Sequence, residues 1–205
     1  MLTLWGRKNS INVQKALWCI EELGLAYERI DAGRGYGVTD TPEYGRMNPN
    51  RLVPTLEDDG FVLWESNVIV RYLCAKHAQG TLWPTDPRAR AEADRWMDWQ
   101  AVEFTPAFGP IFHGLVRTPG SRPRAEIEAA IAKSEAFAAI LDGQLADRRY
   151  VAGDTFTMGD IPAGAAAFRW LNLPIERQPR PHLERYLEDV LARSAASRVL
   201  LLPLT

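Results

Sequence analysis

Three short stretches of the chain hold residue types that could do chemistry. The first is Arg7-Lys8-Asn9-Ser10-Ile11-Asn12-Val13, where a hydroxyl and two amides stand at the start of an apolar run with helical spacing. Free N–H groups and the dipole of a helix N-terminus favour an anion, and a thiolate placed there has its pKa lowered. The plainer alternative is that Ser10 or Asn9 only caps the helix. The second stretch is Asn48-Pro49-Asn50-Arg51-Leu52-Val53-Pro54. A Val-Pro junction before a strand is a candidate cis bond, which would turn the Val53 N–H and C=O outward to pair with an extended peptide. A trans Pro at a strand edge is the alternative. The third is Glu65-Ser66. Ser66 reads as an N-cap whose hydroxyl, with the N–H groups behind it, could hold a carboxylate, and Glu65 beside it could take an ammonium. Together they would grip both charged ends of an amino acid, and capping alone is again the plainer reading.

Composition removes several other chemistries. The 205 residues carry 24 Lys plus Arg against 26 Asp plus Glu, a net charge of −2, which speaks against nucleic acid as a partner. No apolar stretch reaches the roughly 18 residues of a membrane span, and Met1 to Lys8 lack the apolar core of a signal peptide. Cys19 and Cys74 have no CxxC spacing and sit in apolar runs, so they read as buried thiols in a reducing compartment, the cytoplasm. His77, His113 and His182 show no ligand spacing, and no metal is expected. Gly33-Arg34-Gly35-Tyr36-Gly37 imitates a phosphate loop, but Val38 stands where the third Gly of that motif belongs, so the segment reads as a loop.

The elements that must position these residues come in two kinds. Leu2–Trp5, Ala26–Ile30, Val53–Leu56 and Phe61–Trp64 read as strands, the last two joined by an Asp58-Asp59-Gly60 turn. Helical spacing covers Ile11 to Leu23 and resumes after Ser66. The order β-α-β-loop-β-β-α makes a small α/β domain over residues 1–78, with a hairpin closing a four-stranded mixed sheet. Residues 79–87 read as a Pro-containing linker, and residues 88–205 as an all-helical domain. Within it, Ala93, Trp96, Met97, Gln100 and Phe104 share one helix face, with Pro106 and Pro110 expected to kink or end that helix. Ile127 to Leu145 marks a second helix. Thr157-Met158-Gly159-Asp160 caps a third, whose small Ala163–Ala167 body suits a central place. Leu183–Leu191 reads as the last helix, and Val199–Leu204 as an apolar tail packed on the bundle.

In this arrangement the chain resembles the cytosolic glutathione transferases over its whole length, in particular their bacterial Ser-type, theta-like members. The resemblance implies a thioredoxin-like domain without the redox CxxC, followed by a helical domain that forms the electrophile pocket and the dimer contacts. It rests on Val53-Pro54, on Glu65-Ser66, on the Asn9–Lys15 loop and on the Thr157–Gly164 capping segment. It implies that Ser10 donates to the glutathione sulfur with Asn12 assisting, and Asn9 is a rival one residue away. The Val53 backbone would pair with the cysteinyl part, and Glu65 and Ser66 would hold the γ-glutamyl end. Arg51 would reach for the glycyl carboxylate. Leu52 departs from the Lys or Gln frequent before that Val. With no Tyr or Cys in the first loop, the implied chemistry is attack of a glutathione thiolate on a small apolar electrophile, in the manner of a detoxifying transferase. Lowering a thiol from about 8.5 to near 6.5–7 asks roughly 2–3 kcal/mol of anion stabilisation. The implied electrophile wall is Trp5, Arg7, Phe104, Phe108, Phe112, His113 and Trp170, and the implied assembly is a homodimer meeting at the helix of Trp96 and Trp99. Peroxide reduction, disulfide reduction, isomerisation or non-catalytic ligand binding on the same fold are the competing readings.

Overall fold

The computed structural model describes residues 1–205. Strand β1 (Leu2–Trp5) lies at the centre of the sheet, which runs β2 (Tyr27–Ile30), β1, β3 (Thr55–Asp58), β4 (Phe61–Trp64). β1 pairs in parallel with β2 and antiparallel with β3, and β3 with β4. The β3–β4 hairpin turns on Asp59 at φ 48° and Gly60 at φ 89°, the two successive left-handed residues that a tight hairpin needs. β3 begins two residues later than the sequence suggested, because Pro54 has no N–H to give to a ladder.

Helix α1 (Ile11–Glu22) is buried on every side from Val13 to Ile20, with the sheet domain on one flank and the helical domain on the other. Its polar members are satisfied inside. Gln14 donates to the Val199 carbonyl at 3.1 Å, and Lys15 donates to the Gln100 side chain at 3.3 Å. Helix α3 (Ser66–His77) packs beside α1, with Cys19 and Cys74 facing one another at 3.6 Å between Sγ atoms. Helix α2 (Pro42–Met47) was not anticipated. It is a six-residue helix with Pro42 in its first turn and the Thr41 hydroxyl accepting from the Tyr44 N–H.

The helical half opens with α4 (Pro87–Trp99) and continues through α5 (Thr105–Ile111) without a break. The backbone widens to π-type turns at Gln100–Phe104 and Phe112–Arg117. Pro106 neither ends nor sharply breaks the run. The widened turn resets the hydrogen-bond register, so Pro106 falls in the first turn of α5, where no donor is required. Then come α6 (Arg124–Gln144), α7 (Asp160–Leu171), α8 (Pro181–Leu191) and α9 (Ser194–Leu200). Of the apolar tail, Val199 and Leu200 are in the core and Leu204 packs against it, while Leu201 is exposed. Val199 and Leu200 end α9, and residues 202–205 turn towards the loop before α1.

The small body of α7 lets neighbours approach. A Cβ on Gly164 would stand 3.0 Å from the Trp18 ring, and one on Gly159 2.5 Å from the Ala93 carbonyl. Asp160 is fully buried and accepts from the Val151 and Thr157 N–H groups at 2.9 and 2.8 Å and from the Tyr186 hydroxyl at 3.2 Å. Burial still raises its carboxyl to about 6. Between the two halves, Arg71 of α3 binds Asp94 and Asp98 of α4, and Asn67 donates to the Met97 carbonyl at 2.6 Å.

Candidate active site

The chain leaves β1 at Gly6, whose φ of 156° and close approach to Val13, 2.4 Å from an added Cβ, exclude a side chain. It then enters α1 through Ser10. Ser10 is the N-cap by backbone, with extended φ/ψ and a carbonyl that accepts from the Gln14 N–H at 2.8 Å. Its hydroxyl makes no capping bond, and no acidic side chain stands in the first turn. The helix start is therefore left with open donors, a positive end and a buried hydroxyl beside it.

Asn12, the second residue of α1, accepts from the Ser66 hydroxyl at 3.3 Å, so the starts of α1 and α3 meet. Ser66 is the first residue of α3, not its cap as the sequence suggested. Glu65 holds the cap position at φ 71°, a left-handed backbone rare for a side-chain-bearing residue, with its carboxylate free of hydrogen bonds. Opposite lies the Val53-Pro54 bond, which is cis. Its approach is fixed by a buried network: Tyr44 donates to the Leu52 carbonyl at 2.7 Å, Asn48 to the same carbonyl at 2.9 Å, and both meet the Thr55 hydroxyl. Asn12, Val53, Pro54, Glu65 and Ser66 thus line one narrow crevice.

Arg51 does not join them. At φ 54° it donates to the Thr39 and Thr41 carbonyls at 3.0 and 3.1 Å and lies against Gly45, bracing the segment before α2. Asn9 also points away from the crevice. Its side chain donates to the Thr205 hydroxyl, and its carbonyl accepts from Arg169 at 3.0 Å.

A second and larger hollow, a cleft of about 740 Å³, opens on the other side of this loop. Arg7, Lys8, Asn9, Arg34, Tyr36 and Arg117 line it, with the tail residues 202–205. Its wall is not the aromatic one expected. Phe104, Phe108, Phe112 and Trp170 are buried in the core, Phe104 stacked on Trp99 and edge-on to Phe108. They were misplaced because aromatic residues at helical spacing serve a core as readily as a pocket. Trp5 is half-buried at the end of β1, and His113 lies edge-on to Phe112; neither lines the cleft. Burial, with Arg117, Arg122 and Arg34 around it, pushes the His113 imidazole below its usual value. Of the expected wall only Arg7 lines the cleft.

The charged side chains lining it are basic except for Asp31, which is paired with Arg29. Burial and then the nearby Arg34 and Arg7 lower Arg117 to about 10, and burial, Arg117 and Arg7 do the same to Arg169. Arg34, Arg117 and Arg169 escaped the sequence reading because they come from three separate segments with no common spacing. Trp96 is buried within the protomer and lies edge-on to the half-buried Trp99, with ring centroids 5.1 Å apart. Gln100 is likewise buried against Lys15 and Thr105.

A thioredoxin-like sheet domain lacking the redox cysteines, joined to a helical domain and carrying a cis Val-Pro facing a Glu-Ser helix start, defines one class of protein. The chain belongs to the glutathione S-transferase family. The family's N-terminal domain model matches residues 1–75 and its C-terminal domain model residues 124–189. Glutathione S-transferase GstB of Escherichia coli K12 is 43% identical over 208 residues, covering 100% of both chains. Glutathione S-transferase 3 of Zea mays is 32% identical over 95% of this chain and 90% of its own. Among solved structures, the theta class glutathione S-transferase from Xanthomonas axonopodis pv. citri with glutathione bound superposes with a TM-score of 0.96 at 47% identity, covering 100% of this chain and 99% of that one.

Proposed function

We propose that this chain is a glutathione transferase that ionises the glutathione thiol at the start of α1 and adds the sulfur to a small electrophile. The observation that carries this is the Ser10 hydroxyl, which stands at an open helix N-terminus and is not taken up by capping. As a neutral donor it would hold the thiolate while the helix dipole lowers the thiol pKa. The crevice suits the rest of glutathione. The free Glu65 carboxylate would take the γ-glutamyl ammonium, the Ser66 hydroxyl and the α3 start its carboxylate, and the Val53 backbone the cysteinyl amide, with Asn12 holding Ser66 in place. Asn9, tied to the tail, supports the sulfur role less well than Ser10.

We also propose a homodimer. Phe61 and Trp64 on the edge strand β4 and Val68 near the start of α3 are exposed apolar side chains, surface that a second copy would cover. Light scattering should give twice the 23.0 kDa of one chain. The two buried free thiols fit a reducing cytoplasm.

The test of the catalytic reading is an ultraviolet difference titration with glutathione across pH. A thiolate band well below the free-thiol range is expected in the wild type and in Asn9→Ala. Ser10→Ala should lose the band and roughly a hundredfold in kcat, the scale of one oxyanion donor. A band that survives in Ser10→Ala and vanishes in Asn9→Ala would move the role to Asn9, and no glutathione binding at all would end the reading.

A further inference from the structure

Three arginines from distant segments line the larger cleft, Arg7 before α1, Arg34 after β2 and Arg117 at the end of the second widened turn, and a fourth, Arg169 of α7, is buried close behind Arg7 and Arg117. Burial, and then the neighbouring arginines, disfavour the charge on Arg7, Arg117 and Arg169. None of them is paired with a carboxylate, whereas Arg29 on the same wall is held by Asp31. Arg117 and Arg169 sit on the Phe112 ring at 4.7 and 4.6 Å, so this buried phenyl is a pedestal that fixes both guanidiniums. Arg169 is further locked by the Asn9 carbonyl at 3.0 Å and the Gln14 side chain at 3.3 Å. Arg7, Arg117 and Arg169 each keep a buried Nε without a partner.

Gathering like charges around low-dielectric walls costs stability unless something negative is to be received. Rigid guanidinium forks match a planar carboxylate or sulfonate through paired N–H donors. Tyr36, exposed on the cleft wall with Val116 and Leu204 nearby, offers an apolar surface for the body of such a molecule. Asn9 borders this cleft and Asn12 the glutathione crevice, so Ser10 falls between the two hollows along the loop.

We infer that the second substrate is an anionic electrophile, an aromatic or aliphatic molecule bearing a carboxylate or sulfonate that Arg34 and Arg117 seize. This rests on the transferase reading above. In the reaction the glutathione sulfur forms a bond to the electrophilic carbon, the carbon–halogen bond breaks, and the halide leaves with the bonding pair. The thiol proton has already gone to solvent when the thiolate forms.

A matched pair tests the inference: 4-chloro-3-nitrobenzoate and its uncharged amide, assayed for chloride displacement by glutathione. The wild type should prefer the benzoate in kcat/KM, and Arg117→Gln should reduce that preference about tenfold, the scale of one charge-assisted hydrogen bond. Arg117→Lys should restore part of it. Calorimetric binding of the unreactive 3-nitrobenzoate against 3-nitrobenzamide reads the same preference without turnover. Benzoate binding that depends on Arg117 in the absence of any conjugation would uphold the anion site while removing the transferase reading. Equal handling of acid and amide by the wild type would overturn the inference. So would an Arg117→Gln enzyme with its preference intact and a raised KM for glutathione, because the arginines would then be holding glutathione itself.

Discussion

Asn12 and Ser66 are 54 positions apart and share one hydrogen bond, and that bond sets the geometry of the crevice. Removing the acceptor leaves Ser66 free to rotate, so Asn12→Ala should raise the KM for glutathione roughly fivefold to tenfold with a smaller change in kcat, as steady-state kinetics would show. Lys15 gives a second outcome at this scale. Burial, partly opposed by Glu65, lowers its pKa to about 7 from the ordinary 10.5. Below pH 7 the folded chain carries a buried charge and bears the whole penalty. Between about 7 and 10.5 the folded form sheds its proton before the unfolded form does, so this contribution grows more favourable as pH rises. Lys15→Met should flatten that rise in thermal melts between pH 7 and 10. Of the residues proposed for the site, Ser10, Asn12, Val53, Pro54, Glu65 and Ser66 could be picked out in the sequence because each stands at a local landmark, a helix start or an X-Pro junction. Arg34, Arg117 and Arg169 had no such landmark, and their meaning lies only in their convergence.

At the scale of elements, two glycine-and-acid positions hold the helical half together. Gly159 lies where any Cβ would meet the Ala93 carbonyl at 2.5 Å, so Gly159→Ala should force α4 and α7 apart and cost on the order of 1–3 kcal/mol in denaturant unfolding. Asp160→Ala removes the acceptor of two buried N–H groups and the Tyr186 hydroxyl, and a loss of about 3 kcal/mol is expected in the same measurement. The wild-type carboxyl, raised to about 6, favours the folded state below the usual carboxylate range and loses that advantage as pH climbs through 6. Elements with long apolar periodicity, such as α1 and α6, were visible in the sequence. The short α2 and α9 were not, because six or seven residues hold too few apolar positions to show a period, and α2 is set instead by a Thr cap and a first-turn proline. The widened turns around Pro106 and Pro110 follow from backbone hydrogen bonds that no residue pattern announces.

At the scale of the molecule, α1 is shared property. Its residues pack on the sheet, on α3, on α7 and on α9, so it is the piece through which the two halves become one body. A helix so placed has no polar face. This is why Gln14 and Lys15, polar though they are, are buried and bonded across to the other half. The same placement puts Ser10 at the seam, so the proposed sulfur site would be sensitive to the fit between halves. Arg71→Ala, which unties α3 from Asp94 and Asp98 of α4, should lower the melting temperature by several degrees and weaken glutathione binding, both read by calorimetry with and without ligand.

The paired thiols between α1 and α3 provide a clock for this body. Cys19 and Cys74 are wholly enclosed, and burial beside one another holds the Cys19 thiol well above its usual value, so neither can react while the helices stay together. A thiol reagent will therefore be consumed only as often as α1 parts from α3. Its rate at low denaturant counts those openings directly, with no engineered label.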